Sequence, residues 1–338
     1  MKVLGISSGN GVLLYPFKDN LLGNIECRSI FHTPNDIQWS LNFKSIPLLK
    51  DLNSYHGETP DVIIGHPDCG HASMLRLSRA KSFGSPKLNK SLNMFISGVT
   101  KYNPRLFLLE NLPGLLNTYP ITQLSQLFPN YYLLPHVTSV SVFGNSQISR
   151  KRLILVGIHK RLKKKSSSYF KLPKLKFSKL STVDKLEKKL VYPNETLCHI
   201  REDNNTIISI YGGKRMSLKK IRRVWVKELK GKKKWPVNNG KLKNAPGVYR
   251  NLPKDFPLTA RKQNRQFNSK GYMMSPRELA VIQGIPNEFG IWYEGNRKQY
   301  CINKGRVTVT KTPPFEVGIW FNKCITKLEK YHVTNKQK

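Results

Sequence analysis

The stretch Val62-Ile63-Ile64-Gly65-His66-Pro67-Asp68-Cys69-Gly70-His71-Ala72-Ser73 decides how this chain is read. Its first three residues are a short β-branched run of the kind a fully buried strand shows. A turn comes next, and the turn carries a thiol. In open α/β sheets ligands bind beyond the carboxyl ends of the strands, so a Pro-x-Cys turn directly after a strand puts Cys69 at the ligand edge. A thiol held there can act as a nucleophile. Alone it is ambiguous, because free cysteine is also among the most buried and inert side chains. The motifs on either side of it in the chain separate the two readings.

Working outward, the first half alternates short apolar runs with polar segments of helix length. Lys2–Ile6 is strand-like and ends in Ser7-Ser8-Gly9-Asn10-Gly11. Asn89–Val99 has helical spacing through Leu92, Phe95, Ile96 and Val99. Leu106–Leu109 predicts another buried strand, Ile121–Phe128 a helix, and Val137–Val142 and Leu153–Ile158 two β-rich runs. This alternation predicts an α/β fold, a mostly parallel sheet with helices on both faces. Near the other end, Ser275-Pro276-Arg277-Glu278 reads as a helix start: Ser as N-cap, Pro first, Glu third. That helix is expected to run through Gln283 and stop at Gly284. A last helix is expected over Pro314–Tyr331, with a frayed tail from Thr334.

The 338 residues carry 58 Lys+Arg against 20 Asp+Glu, a formal charge of +38. Such an excess points to a polyanionic partner, nucleic acid ahead of an anionic membrane surface. A coding bias towards Lys and Asn would also raise the charge, but here the charge is concentrated. From His159 to about Phe256 the chain is rich in Lys, Arg, Ser, Asn and Pro, with clusters at Lys163–Lys165, Lys219–Arg223 and Lys232–Lys234. Tyr169, Phe170, Tyr192, Tyr211, Trp225 and Trp235 are interleaved, and apolar pieces such as Thr206–Tyr211 predict strands. A small, irregular basic domain is expected rather than a linker. No apolar run approaches the roughly 18 residues of a membrane span. Met1–Ile6 is too short for the apolar region of a signal peptide. The five Cys include no Cys-x-x-Cys pair, so reduced thiols in a cytoplasm-like compartment are expected. His66, Cys69 and His71 have ligand-like spacing, but no fourth ligand is near and zinc would block the thiol, so no metal is expected.

Five elements occur in order: the glycine turn at Ser8–Gly11; the turn at Cys69; Leu109-Glu110-Asn111-Leu112-Pro113-Gly114; Phe143-Gly144-Asn145-Ser146-Gln147 with Arg150-Lys151-Arg152; and Arg277-Glu278 with Gln283-Gly284-Ile285-Pro286. As an ordered set they resemble the DNA cytosine-5 methyltransferase family. The glycine turn is similar to its S-adenosylmethionine loop, Gly65–Ser73 to its nucleophile loop, and Glu110-Asn111 to its Glu-Asn-Val element. Gln147 to Arg152 is similar to its Gln-x-Arg-x-Arg element, and Pro276 to Pro286 to the element after its target-recognition domain. The resemblance implies a Rossmann-like methyltransferase domain at 1–158, a basic target-recognition domain at 159–262, and a segment at 263–338 that completes the catalytic domain.

The chemistry implied is transfer of a methyl group from S-adenosyl-L-methionine to carbon 5 of cytosine. Carbon 5 is a poor nucleophile; a thiolate adding to carbon 6 makes the ring enamine-like, so that carbon 5 can attack a sulfonium methyl. Cys69 is the candidate thiolate. Glu110 would donate a proton or hydrogen bond to ring nitrogen 3. Arg150 and Arg152 would orient the base and the neighbouring phosphate, and Asn111 completes the implied catalytic set. Ser8, Gly9, Asn10, Gly11, Phe17 and Pro67 would line the cofactor. Gln147, Ser73, Lys232, Lys233 and Lys234 would meet nucleic acid. The implied partner is double-stranded DNA with the target base flipped out. A monomer is expected, working in the cytoplasm of a bacterium or a phage-infected host.

The chain departs from the family's pattern in several places. Asp68 precedes the thiol where the family has Pro, and an adjacent carboxylate disfavours a thiolate. Gly5 and Ser7 stand where the family has an acidic and an aromatic residue. With strand two placed around Ile30-Phe31-His32, no carboxylate closes it; Glu26 and Asp36 are the nearest. The final Gly-Asn-x-x-Pro-Pro element is matched loosely by Val309–Pro314, and Gln147 lies one residue further from Arg150 than is usual. These departures leave three rivals: the same chemistry on RNA, a DNA-binding protein that has lost its cofactor, and transfer of a different group.

Overall fold

The computed structural model describes residues 1–26, 39, 42–68, 90–162, 164–189, 200–203, 206–209, 248–250, 254–257, 265–267, 276–291 and 309–334. Seven strands form its main sheet: β1 (Val3–Ile6), β2 (Leu21–Ile25), β3 (Leu48–Leu49), β4 (Val62–Gly65), β5 (Leu106–Asn111), β6 (Tyr131–Ser139) and β7 (Lys151–His159). They lie in the order β3-β2-β1-β4-β5-β7-β6. The first five of that order are parallel; β7 runs antiparallel to β5, and β6 antiparallel to β7. The expected α/β fold of Rossmann type is the one observed. The strand order reverses between β1 and β4, which opens a crevice beyond their carboxyl ends.

Side-chain alternation along the strands sorts the core into two layers. Val3, Val62, Ile64, Leu106, Leu108, Ile154, Val156 and Ile158 face one side. Leu4, Ile6, Ile63, Phe107, Leu109, Leu153 and Leu155 face the other. The second face is covered by α1 (Lys90–Tyr102), α2 (Leu115–Thr118) and α3 (Ile121–Leu127), with Leu92, Phe95, Val99 and Leu124 buried against it. On the first face lie α5 (Pro276–Ile282) and α6 (Phe315–Thr334), which bury Leu279, Ile282, Val317, Phe321, Ile325 and Leu328. The segment after β1 joins them there through Val12, Leu13, Leu14 and Phe17.

Three expectations change. The β-rich run at Val137–Val142 is the end of β6 followed by a 3-10 turn over Val140–Phe143; Ser139 caps that turn by accepting from Ser141 N–H. Strand two lies earlier than expected, at Leu21–Ile25, because a six-residue 3-10 turn at Tyr15–Asn20 replaces a full crossover helix. The hydrophobic core of the main sheet takes in residues past 158. Leu162, Phe170 and Leu186 belong to its first core layer, and Val183 N–H at the start of α4 (Val183–Lys188) bonds to Asp255 O at 2.9 Å. The stretch 159–189 is basic on its exposed side and core on its inner side, a division composition cannot show. Beyond it, β8 (Ile200–Asp203) pairs with β9 (Thr206–Ser209), and β10 (Val248–Arg250) with β11 (Arg265–Phe267). The final helix starts one residue later and ends three later than expected. The Ser275 cap and the tail beyond Thr334 lie outside the described residues.

Candidate active site

Strand register assembles the site. Ile64 pairs with Leu108 in β5, so His66, two residues on, falls beside Glu110 on the same face. Glu110 pairs with Ile154 in antiparallel β7, so Arg152, two residues back, falls diagonally beside Glu110 on that face too. Three charged side chains therefore meet at one end of the sheet. Glu110 is 0 % exposed; His66 Nδ1 pairs with its Oε2, and Arg152 Nε lies 3.0 Å from its Oε1. The carboxylate is thus held from both sides, by the imidazole on one oxygen and the guanidinium on the other. Burial pulls the His66 imidazole down, but attraction to Glu110 carries it above its ordinary value.

Asn111 locks the neighbouring turn. Its Nδ2 donates to Pro67 O at 3.1 Å, and its Oδ1 accepts from Leu112 N–H at 2.8 Å. The turn is also fixed by His66 N–H to Ser7 O (3.1 Å) and Asp68 N–H to Ser91 Oγ (2.8 Å). Asp68 is exposed. Cys69, Gly70, His71 and Ser73 lie outside the described residues, as do Lys232, Lys233 and Lys234. What the structure defines is the platform from which Cys69 departs.

The loop after β1 forms the other wall. Ser7 is buried in a left-handed conformation (φ 55), an uncommon state for a residue with a side chain. Its N–H bonds to Ile25 O at 2.7 Å and its Oγ to Ser91 O at 3.2 Å. Ser8 Oγ donates to Ile64 O at 2.8 Å. Gly9 has φ +63, and nothing lies within 4 Å of where a Cβ would stand. Its N–H donates to Glu26 Oε2 at 3.0 Å, as does Asn24 Nδ2 at 3.2 Å. Glu26 directly follows β2, so a carboxylate does close strand two. Burial raises its carboxyl to about 7, against the opposing bonds from Asn24 and Gly9. The signal was a carboxylate directly after Leu21–Ile25, 17 residues past Gly9.

A strand–glycine turn faced by a buried carboxylate thus stands beside a carboxylate–histidine–arginine cluster at the same sheet edge. The model for C-5 cytosine-specific DNA methylases matches residues 29–304. The chain belongs to that family. Among solved structures, it is similar to a protein described as a DNA modification methyltransferase encoded within an E. coli prophage. The two are 20% identical over 98% of this chain and 99% of that one, with a TM-score of 0.63. It is also similar to the S. pombe Dnmt2 methyltransferase (12% identity, 96% and 97% covered, TM-score 0.57). A third similar structure is the Entamoeba histolytica methyltransferase EhMeth (13% identity, 97% and 98% covered, TM-score 0.54). At these identities the structures speak for the fold. No curated protein matches the chain.

The methylase family uses S-adenosyl-L-methionine as its methyl donor. The residues present fit such a molecule: the open space at Gly9 lets a ligand approach the backbone, and the buried Glu26 carboxylate suits a pair of hydroxyl donors. Asn10 belongs to the same wall, where its Nδ2 donates to Thr312 Oγ1 at 2.8 Å. Thr312 was not singled out from sequence; it sits in the loosely matched element before α6, and only folding brings it to residue 10.

Other expected site residues stand elsewhere. Phe17 is core, packed edge-on against Phe321 at 6.4 Å between ring centroids. Gln147 is 0 % exposed and accepts from Arg150 Nη1 at 3.1 Å. Arg150 is 1 % exposed, and its Nη2 donates to Thr312 O at 2.5 Å. It joins the start of β7 to the C-terminal segment, whereas Arg152 reaches the charged cluster. Pro67 is buried and held by Asn111. Among the described residues there is no metal-binding group, and no helix is long and apolar enough to cross a membrane.

Proposed function

We propose that this methylase transfers a methyl group from S-adenosylmethionine to carbon 5 of cytosine in duplex DNA, through a covalent bond between Cys69 Sγ and carbon 6 of a flipped-out base. The observation that carries the reading is the sealed Glu110 carboxylate, held between His66 and Arg152 next to the turn that leads into Cys69. When bound, S-adenosylmethionine supplies an electrophilic sulfonium methyl. The chain's own residues do the rest. Cys69 adds to carbon 6; once carbon 5 has taken the methyl, its proton passes to solvent water, the C5–H electron pair re-forms the ring double bond, and the carbon 6–sulfur bond breaks to return the thiolate. Glu110 answers the charge that develops on ring nitrogen 3, which a water-excluded carboxyl does more effectively than an exposed one. Arg152 holds Glu110 in place. Asn111 acts as a positioning residue, since its Nδ2 donates to Pro67 O in the turn while its Oδ1 accepts from Leu112 N–H. Gly9 and Glu26 receive the donor.

Sequence recognition falls to the basic middle of the chain. Because 159–189 packs into the catalytic core, the reading domain begins at about 190 and extends to about 262, with Lys232, Lys233 and Lys234 meeting phosphates and Ser73 following the nucleophile into the DNA. Its net positive charge suits duplex DNA, and DNA is the substrate named by the family's own description.

The test is label transfer from S-adenosylmethionine to mixed-sequence duplex DNA and, in parallel, to structured RNA, with wild type and Cys69→Ser. Label on cytosine of DNA with wild type, and none with Cys69→Ser, is the expected result. Label confined to RNA would move the substrate. DNA binding without cofactor binding would mean a protein that has lost its chemistry.

A further inference from the structure

His66 has no task in the chemistry above, yet it is the group closest to Glu110. It follows β4 on the same face as Ile64, its Nδ1 pairs with Glu110 Oε2, and that nitrogen also lies 3.3 Å from Glu110 O. The charged groups around it are Glu110 from β5, Arg152 from β7, and Glu26 after β2, which acts on it by charge. Glu110 is fully buried, whereas the His66 side chain is 12 % exposed. A proton therefore reaches the buried carboxylate from water most directly by way of the imidazole. Arg152 also touches Glu110, but a guanidinium does not give up its proton in a protein.

We propose that His66 is a positioning residue that stores the proton Glu110 delivers to ring nitrogen 3; this rests on the reading of Glu110 given above. At rest the proton is on Nδ1 and Glu110 is a carboxylate. As negative charge develops on ring nitrogen 3, the Nδ1–H bond breaks and an O–H bond forms on Glu110. The carboxyl then gives a proton to ring nitrogen 3 and is again a carboxylate. One proton has moved; an imidazolium and an anionic ring have become a neutral imidazole and a neutral ring. When the thiolate leaves carbon 6, the proton returns through Glu110 to Nδ1. The raised affinity of His66 for its proton keeps the store filled at neutral pH.

The experiment is the pH profile of kcat, at saturating S-adenosylmethionine and duplex DNA, for wild type and His66→Asn. The asparagine Nδ2 stands where Nδ1 stood, so it can still donate to Glu110 but cannot release a proton. Wild-type kcat is expected to fall on the alkaline side, above the ordinary histidine range. His66→Asn is expected to lose that limb and to lower kcat by about 10- to 100-fold, with KM for DNA and cofactor affinity within about twofold. A variant with wild-type kcat, or with the alkaline limb intact, overturns the role of His66 alone. A wild type that methylates neither DNA nor RNA overturns the reading beneath it as well. If His66→Asn does not fold, the imidazole is titrated by NMR in wild type and Glu110→Gln. A fall in its pKa in Glu110→Gln is expected, and an unchanged titration overturns the pairing.

Discussion

Glu26 and Glu316 are two buried carboxyls that burial raises to about 7, far above a free glutamate. Both lie at junctions: Glu26 between the glycine loop and β2, Glu316 at the first turn of α6, accepting from Asn145 Nδ2 at 3.0 Å. A carboxyl whose folded pKa is raised holds its proton more tightly in the native state. Its contribution to stability is therefore complete below the unfolded value of 4.5 and is lost as pH rises to about 7. For a fully buried group shifted this far, the slope amounts to something on the order of 2–3 kcal/mol over that window. Glu316→Gln retains an acceptor for Asn145 and removes the titration. Thermal unfolding of the ligand-free protein between pH 4.5 and 7.5 is expected to show a shallower decline for the variant than for wild type. Parallel curves would mean that Glu316 titrates normally in the fold.

At the scale of elements, the C-terminal end of α5 is where separate stretches of chain lock together. Gln283 O accepts from Asn145 Nδ2 at 2.8 Å, and Gln283 Nε2 donates to Val309 O. Arg277, at the other end of the helix, donates to Phe289 O at 2.8 Å and so ties the following turn back to the helix. Gly284 ends α5 in the left-handed conformation, φ +74, where a Cβ would collide with the Glu316 carboxylate and stand 2.9 Å from Asn145 Nδ2. The glycine is thus required twice, by its backbone and by its neighbours. Gly284→Ala is expected to cost about 1–3 kcal/mol in denaturant unfolding. An unchanged midpoint would mean that Glu316 moves aside freely.

For the whole molecule, packing carries the core of the main sheet past residue 158 into the stretch 159–189. Phe170 is fully buried, 5.6 Å from the Phe321 ring, in the layer that also holds Leu162 and Leu186. Phe170→Ala is expected to lower the stability of the catalytic body by about 3–5 kcal/mol, measured by unfolding; a residue in a solvated insert would cost well under 1 kcal/mol. The sequence by itself determined the α/β class, because the periodicity of β1, β4, β5 and β7 is local and strong. It also determined the family, because the chemistry needs particular residue types at the ends of those strands. It misplaced β2 because Gly23 and Asn24 weaken a short strand, and with β2 it passed over Glu26. It could not separate Arg150 from Arg152: two basic residues two apart share a face of an ideal strand, and only the start of β7 at Lys151 sends the first into the C-terminal junction and the second to Glu110. The pairing of His66 with Glu110, the bond from Asn10 to Thr312 and the contact of Asn145 with Glu316 were decided by tertiary structure alone. Each joins residues 44 to 302 positions apart, and no local pattern encodes which distant side chain will close a buried polar group.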